Sequence, residues 1–190
     1  PSLITANNMT KLLAAVAKHC TLAVDVEITL EANPGVIDEQ HFLGYRSAGV
    51  NRLSIGVQSF DALALQSLGR IHSPQDAHRA MDIARTAGFT NINIDLMHGL
   101  PQQSLKAAMQ DLETALALDP EHLSWYQLTI EPNTIFYSQP PVLPHDDALA
   151  DIEEQGFRVL ANAGYDRYEV SAFAKQSRQS QHNLNYWQFG

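Results

Sequence analysis

Three junctions of one composition divide the chain: Ala48-Gly49-Val50, Ala87-Gly88-Phe89 and Ala163-Gly164-Tyr165. In each, a glycine able to take the left-handed conformation ends an amphipathic stretch, and a β-branched or aromatic residue opens the next element. Gly49 and Gly88 lie 39 positions apart, and Gly88 and Gly164 lie 76 apart, about twice as far. Asp119-Pro120 stands near the omitted beat and ends a helical pattern without a glycine. A chain punctuated in this way repeats a βα pair, and strands joined through helices run parallel.

The apolar spacing of Met9, Leu12, Leu13, Val16, Ala17 and Cys20 predicts a first amphipathic helix. Further helices are predicted over 38–48, 74–87, 104–118 and 146–163, and strands over 26–30, 52–58, 91–96, 123–130 and 166–170. The fold class is α/β. No Gly-x-Gly-x-x-Gly opens a helix, and Glu31, Gln58, Asp95 and Glu131 are placed at the carboxyl ends of successive strands. Barrel enzymes gather their reacting groups on that face, so the expected architecture is an incomplete parallel (β/α) barrel. About five strands stand where a full barrel has eight, and an exposed parallel edge is expected.

With 190 residues, 45% of them hydrophobic, the chain can bury one core. Twelve basic against 21 acidic residues, net −9, give no footprint for nucleic acid or an anionic membrane, whereas a neutral or bulky organic ligand fits. The single cysteine, Cys20, excludes an internal disulfide or an all-cysteine metal site and is read as a sign of a reducing cytoplasm. No signal segment and no run of about 20 apolar residues is present, so a soluble protein is expected. Pro1 in place of a Met, and Gly190 directly after an aromatic cluster, are read as internal cuts.

Glu31, Gln58 and Asp95 offer acceptors and one amide, the set that holds the amino group and ribose hydroxyls of a nucleoside-like cofactor. Arg70 adds a partner for a carboxylate or phosphate. Taken singly, each reads equally well as a strand-end cap. Asp95, His98, His72 and His41 compose a zinc alternative, but no His-x-His or His-Glu-x-x-His supports it and no metal site is assigned. His19, His78, His122 and His145 show no ligand spacing and are read as solvated. His182-Asn183-Leu184-Asn185-Tyr186-Trp187 reads either as a ligand patch, with an imidazole for haem iron and aromatic faces for a porphyrin, or as a packed corner of the core. Between Glu131 and Pro144, a proline-rich loop reads as a stiff connector or a pocket wall.

Taken together, Glu31-Ala32-Asn33-Pro34, the run from Asn51 to Phe60, the run from Asn93 to Pro101 and the His182–Trp187 segment resemble the coproporphyrinogen-oxidase-like radical S-adenosylmethionine family over nearly the whole chain. The last segment is similar to the pattern that marks its HemW branch, proposed to act as haem chaperones. The resemblance implies that Glu31, Gln58, Arg70 and Asp95 contact S-adenosylmethionine with Thr129 near the site, and that His182, Tyr186 and Trp187 are the haem candidates. It also implies a 4Fe–4S cluster, held in an intact parent by a Cys-x3-Cys-x2-Cys motif that is absent here. Of the Gly-Gly-Gly-Thr-Pro stretch that follows that motif, Pro1-Ser2 would be the tail.

Residues 1–190 would then be part of a radical SAM core, without the cluster-binding segment and a C-terminal domain, and inactive alone. The intact parent would carry a (β/α)6 barrel and deliver haem to a haem-accepting respiratory protein. The alternative implied activity is oxygen-independent oxidation of coproporphyrinogen III. Dimerisation, and whether S-adenosylmethionine is cleaved, stay open.

Overall fold

The computed structural model describes residues 4–36 and 38–189. Pro1 and Ser2, the expected tail of the glycine-rich stretch, lie outside the described residues. Helix α1 (Ala6–His19) leads to β1 (Thr29–Ala32) and a 3-10 turn at Pro34–Val36. Then come α2 (Glu39–Ala48), β2 (Arg52–Gln58), α3 (Ala62–Ser67), α4 (Pro74–Thr86), β3 (Ile92–His98), α5 (Leu105–Ala117) and β4 (His122–Gln127). The last third holds α6 (Ile135–Ser138), α7 (Asp146–Asn162), the short strands β5 (Asp166–Arg167) and β6 (Ala172–Ala174), and α8 (Gln181–Trp187).

The repeated junctions act as the sequence predicts. Gly49, Gly88 and Gly164 follow α2, α4 and α7 with φ of 112°, 86° and 82°. A Cβ at Gly88 or Gly164 would meet nothing within 4 Å, so glycine stands there for the sign of φ and not for room. At the omitted beat Asp119 itself takes φ 52°, and Lys175 Nζ holds its carboxylate at 2.5 Å.

Strands β1 to β4 are parallel neighbours in sequence order; β6 then runs antiparallel to β4, and β5 antiparallel to β6. The six-stranded sheet does not close, and β1 is its open parallel edge. The architecture is therefore an incomplete α/β barrel with an antiparallel end.

Three expectations are corrected. The first strand starts at Thr29, because the Asn51 side chain takes the place of a neighbouring strand before it. Asn51 Oδ1 accepts from the Ile28 N–H at 2.8 Å and Asn51 Nδ2 donates to the Val26 carbonyl at 2.8 Å. The predicted strand 166–170 is cut short as well. The Arg167 guanidinium donates to the carbonyls of Glu169 and Val170, curling the chain back so that β6 returns antiparallel. Third, β4 ends at Gln127. Glu131 therefore lies beyond the strand, exposed, with its carbonyl accepting from Thr134 Oγ1 in the turn that starts α6.

Along β2, β3 and β4 apolar and polar residues alternate, which is unusual for a parallel sheet covered on both faces. Leu53, Ile55, Val57, Ile92, Ile94, Leu96, Leu123 and Trp125 point to the helical side, each 2% exposed or less. They share one core with Phe42, Tyr45, Met81, Leu112 and Ile152 from the surrounding helices. Burial of each such side chain contributes roughly 1.5–3 kcal/mol. The alternate residues face the other way, into the barrel interior.

Candidate functional site

The interior face carries Arg52, Ser54, Asn93, Asp95, His122 and Ser124, which line a cavity of about 990 Å³ together with residues of β1 and α8. The side chains form one network. Asn93 Nδ2 donates to Asp95 Oδ1 at 2.8 Å and to Ser54 Oγ at 2.7 Å, while Ser54 Oγ donates to Asp95 Oδ2 at 3.0 Å. Asn93 Oδ1 accepts from Ser124 Oγ at 3.1 Å and lies 2.6 Å from His122 Nδ1.

Arg52 is 5% exposed. Its Nε lies 3.8 Å from Glu27 Oε2, a charge pairing without a hydrogen bond, and that nitrogen has no hydrogen-bond partner among the described residues. Burial lowers the pKa of the guanidinium, partly countered by the Glu27 carboxylate. Burial also raises the Asp95 pKa, opposed by the hydrogen bonds from Asn93 and Ser54.

Sequence reasoning placed Asp95 at a strand end, but it sits in mid-strand, beside Gly56 of β2 and Ser124 of β4. Gln58 does end β2, after a register shift between Gly56 and Gln58, and takes φ 69°. That is a strained conformation for a side-chain-bearing residue. Its surroundings hold it there: Asp111 accepts from Ser59 Oγ at 2.6 Å and from the Phe60 N–H at 2.7 Å, and Tyr126 donates to Gln58 Oε1 at 2.6 Å. A Cβ on Gly56 would come within 3.1 Å of Gln58 Nε2 and 3.5 Å of Asn33 Oδ1. The missing side chain leaves a small cleft rimmed by amide groups.

Glu31 is exposed on β1 and lines the same cavity as Asp95. Arg70 is exposed, near enough to Tyr126 for its charge to act on the phenol beside Gln58. Thr129 is exposed and bonds Glu131 Oε1 at 3.2 Å. The carboxylates of Glu31 and Asp95 on an open polar cavity, with the Gln58 amide at the end of the neighbouring strand, fit a nucleoside-like ligand. A three-thiolate cluster does not fit, because Cys20 is the single cysteine and stands exposed after α1.

The zinc alternative loses its geometry. Asp95 faces the interior, whereas His98, three residues on, is buried on the helical side with its ring 4.3 Å from that of Trp125. His72 Nε2 lies 2.9 Å from the Val57 carbonyl, and His41 pairs with Asp38 at 2.8 Å. Among the described residues no group of three or more His, Cys, Asp or Glu is placed to hold a metal ion.

His122, read from sequence as a solvated histidine, is instead 1% exposed at the start of β4. Burial, with the Arg52 charge adding to it, pushes its pKa down to about 3, and burial alone pushes His98 down to about 4. Unfolding restores both towards 6.5, so the unfolded chain binds more protons between these values. Their contribution to stability is complete above pH 6.5 and is lost as pH falls from there towards 4 and 3. The slope is about 1.4 kcal/mol per pH unit for each histidine. Denaturant titrations across this range are expected to show that decline flattened in a His98→Phe variant.

Helix α8 closes part of the cavity. Ser180 Oγ and the Gln181 N–H both bond the Glu27 carboxylate at 3.3 Å. His182, which lines the cavity as well, meets Tyr186 edge to face at 5.3 Å beside a groove of about 380 Å³ that Glu169, Asn183, Trp187 and Phe189 also line. Tyr186 is 73% and Trp187 60% exposed, so among the described residues this segment is not a packed corner of the core.

The interior polar residues other than Glu31, Asp95 and Gln58 were missed from sequence. Their signal was the period-two alternation in Arg52-Leu53-Ser54-Ile55, Ile92-Asn93-Ile94-Asp95 and His122-Leu123-Ser124-Trp125.

The model of the Radical SAM superfamily matches residues 5–115. The chain is 58% identical over 190 residues to the heme chaperone HemW of Escherichia coli K12 and 53% identical to that of Haemophilus influenzae. Each match covers 100% of this chain and 50% of the relative. Among solved structures it is similar to coproporphyrinogen III oxidase (HemN) of Escherichia coli, a radical SAM enzyme, with TM-score 0.83 and 26% identity. That match covers 99% of this chain and 44% of the other. The chain thus spans about half the length of the curated relatives it matches.

Proposed function

The chain belongs to the radical SAM superfamily, and on that premise we propose that it is part of a haem chaperone, binding S-adenosylmethionine in its polar interior and haem on α8. Glu31, Gln58 and Asp95 are the groups for the cofactor, with Arg70 and Thr129 at its margin. The amide of Gln58 is pre-set by Tyr126, so little side-chain freedom is lost on binding. With a 4Fe–4S cluster beside it, S-adenosylmethionine would supply radical chemistry, and the residues named here would bind and orient it. Residues 1–190 make up part of that core domain. The cytoplasm as compartment and a respiratory haem protein as acceptor belong to the same proposal.

One observation carries the haem reading: an imidazole, a phenol and an indole stand on an exposed turn of helix beside an apolar groove, where packing does not require them. A neutral imidazole ligates haem iron and flat aromatic faces stack on a porphyrin. Coproporphyrinogen oxidation is the second reading, favoured by the likeness to the 26% identical oxidase. The relatives at 58% and 53% identity carry the chaperone name, and this favours the first. Haem titration of the full-length protein, followed at the Soret band, is expected to saturate at one site and to weaken about tenfold in His182→Ala. An absence of saturable binding would return the oxidase to the front.

A further inference from the structure

Tyr168, between β5 and β6, occupies the joint between the polar interior and α8. Its hydroxyl lies 2.6 Å from His122 Nε2, 3.1 Å from the Ser180 nitrogen and 3.2 Å from Asn183 Nδ2. The two rings meet edge to face at 5.5 Å. His122 is buried and neutral, so one ring nitrogen donates and the other accepts.

Asn93 spends both amide hydrogens on Ser54 and Asp95, which leaves its oxygen to accept. The proton of His122 therefore sits on Nδ1, facing Asn93 Oδ1, and Nε2 is the acceptor. Tyr168 must then donate to His122, and its lone pairs are left for the Ser180 N–H and the Asn183 amide. Every bond in the series from α8 through Tyr168, His122 and Asn93 points the same way and ends on the Asp95 carboxylate.

We propose that Tyr168, backed by His122, is the positioning residue for the haem-bearing face of α8, and that it fixes this face relative to Asp95 in the cofactor cavity. The inference rests on the haem reading above. Asn183 is the segment's side of the joint and also lines the apolar groove beside His182. A displaced hydroxyl would loosen α8 at Ser180 and Asn183 together, leaving it held through Glu27, the Asp25 carbonyl and the bond from Asn183 to Glu169. A series with a single direction strengthens each of its members.

The test is titration of the full-length protein with ferric haem. Tyr168→Phe keeps the ring and removes the hydroxyl; its Kd is expected to rise about tenfold at unchanged stoichiometry, with a shifted Soret band. A merely structural defect would lower the number of sites and leave the Kd and band of the remainder as they were. Asn183→Ala, which also removes the bond to Glu169, is expected to act similarly, and the double variant to fall short of the sum, since the two share the Tyr168–Asn183 contact. Should Tyr168→Phe fail to fold, Asn183→Ala carries the test by the same readings. Haem affinity within twofold of the parent in both variants, with His182→Ala still weakened, would overturn this inference and leave the haem reading standing. No effect of His182→Ala would remove the haem reading, and the inference with it.

Discussion

A Trp125→Ala variant is expected to lose about 3–5 kcal/mol of stability, the range for deleting a large buried aromatic. Trp125 is 2% exposed, and its ring meets those of His98 at 4.3 Å, Phe157 at 5.9 Å and Phe173 at 6.5 Å. It thereby joins β4 to α7 and β6. Its Nε1 has no hydrogen-bond partner among the described residues, so the loss is one of apolar contact.

The fit continues at Gly156 of α7, where an added Cβ would come within 1.9 Å of the indole ring. Gly156→Ala would gain about 1 kcal/mol of helix propensity in isolation. Here it is expected to destabilise by about 1–3 kcal/mol, because an added methyl group has to displace a packed ring. In the Trp125→Ala background the sign reverses, since the methyl then enters the space the indole left. Urea denaturation of the two single variants and the double gives the coupling; additive effects would mean that α7 does not rest on this ring.

Asp95→Asn is expected to separate stability from binding. Burial raises the pKa of this carboxyl, so holding it ionised costs the fold free energy. The amide keeps the volume and removes the charge, and the melting temperature should stay level or rise. Affinity for S-adenosylmethionine in the full-length, cluster-reconstituted protein should fall about ten- to a hundredfold, the loss of a charge-assisted hydrogen bond of roughly 1.5–3 kcal/mol. Equilibrium binding checks this, and unchanged affinity would place the cofactor away from Asp95. A side chain that costs the fold free energy and serves a ligand is the ordinary signature of a functional site.

Much of the scaffold was readable because its signals are local. Strand 52–58 and the helices before Gly49, Gly88 and Gly164 fall where periodicity and the glycine junctions put them, within a residue or so. Gln58 was found at its strand end for the same reason. The misses have a common cause in long-range bonds. Asn51 replaces a strand for Val26 and Ile28, 25 and 23 residues earlier in the chain. His122 reads as an ordinary polar residue until Tyr168, 46 residues away, is brought against it. Of the candidates for the cofactor, Asp95 and Glu31 share the cavity, Gln58 and Arg70 meet around Tyr126, and Thr129 turns to Glu131. The haem candidates were legible as an unusual cluster. Their exposure was not, because exposure depends on where α8 docks.

The contacts that seat α8 on Glu27 span 153 and 154 positions of the chain, whereas the neighbouring parallel strands are only one βα unit apart. The bonds from α8 to Tyr168 and Glu169 are local, but those to Glu27 close so long a loop that they return little until everything between is in place. The wall at Glu27 is therefore expected to form late in folding. By the same reasoning, the seam on Glu27 is expected to be among the less costly places to open in the native state, on the side where a ligand would enter.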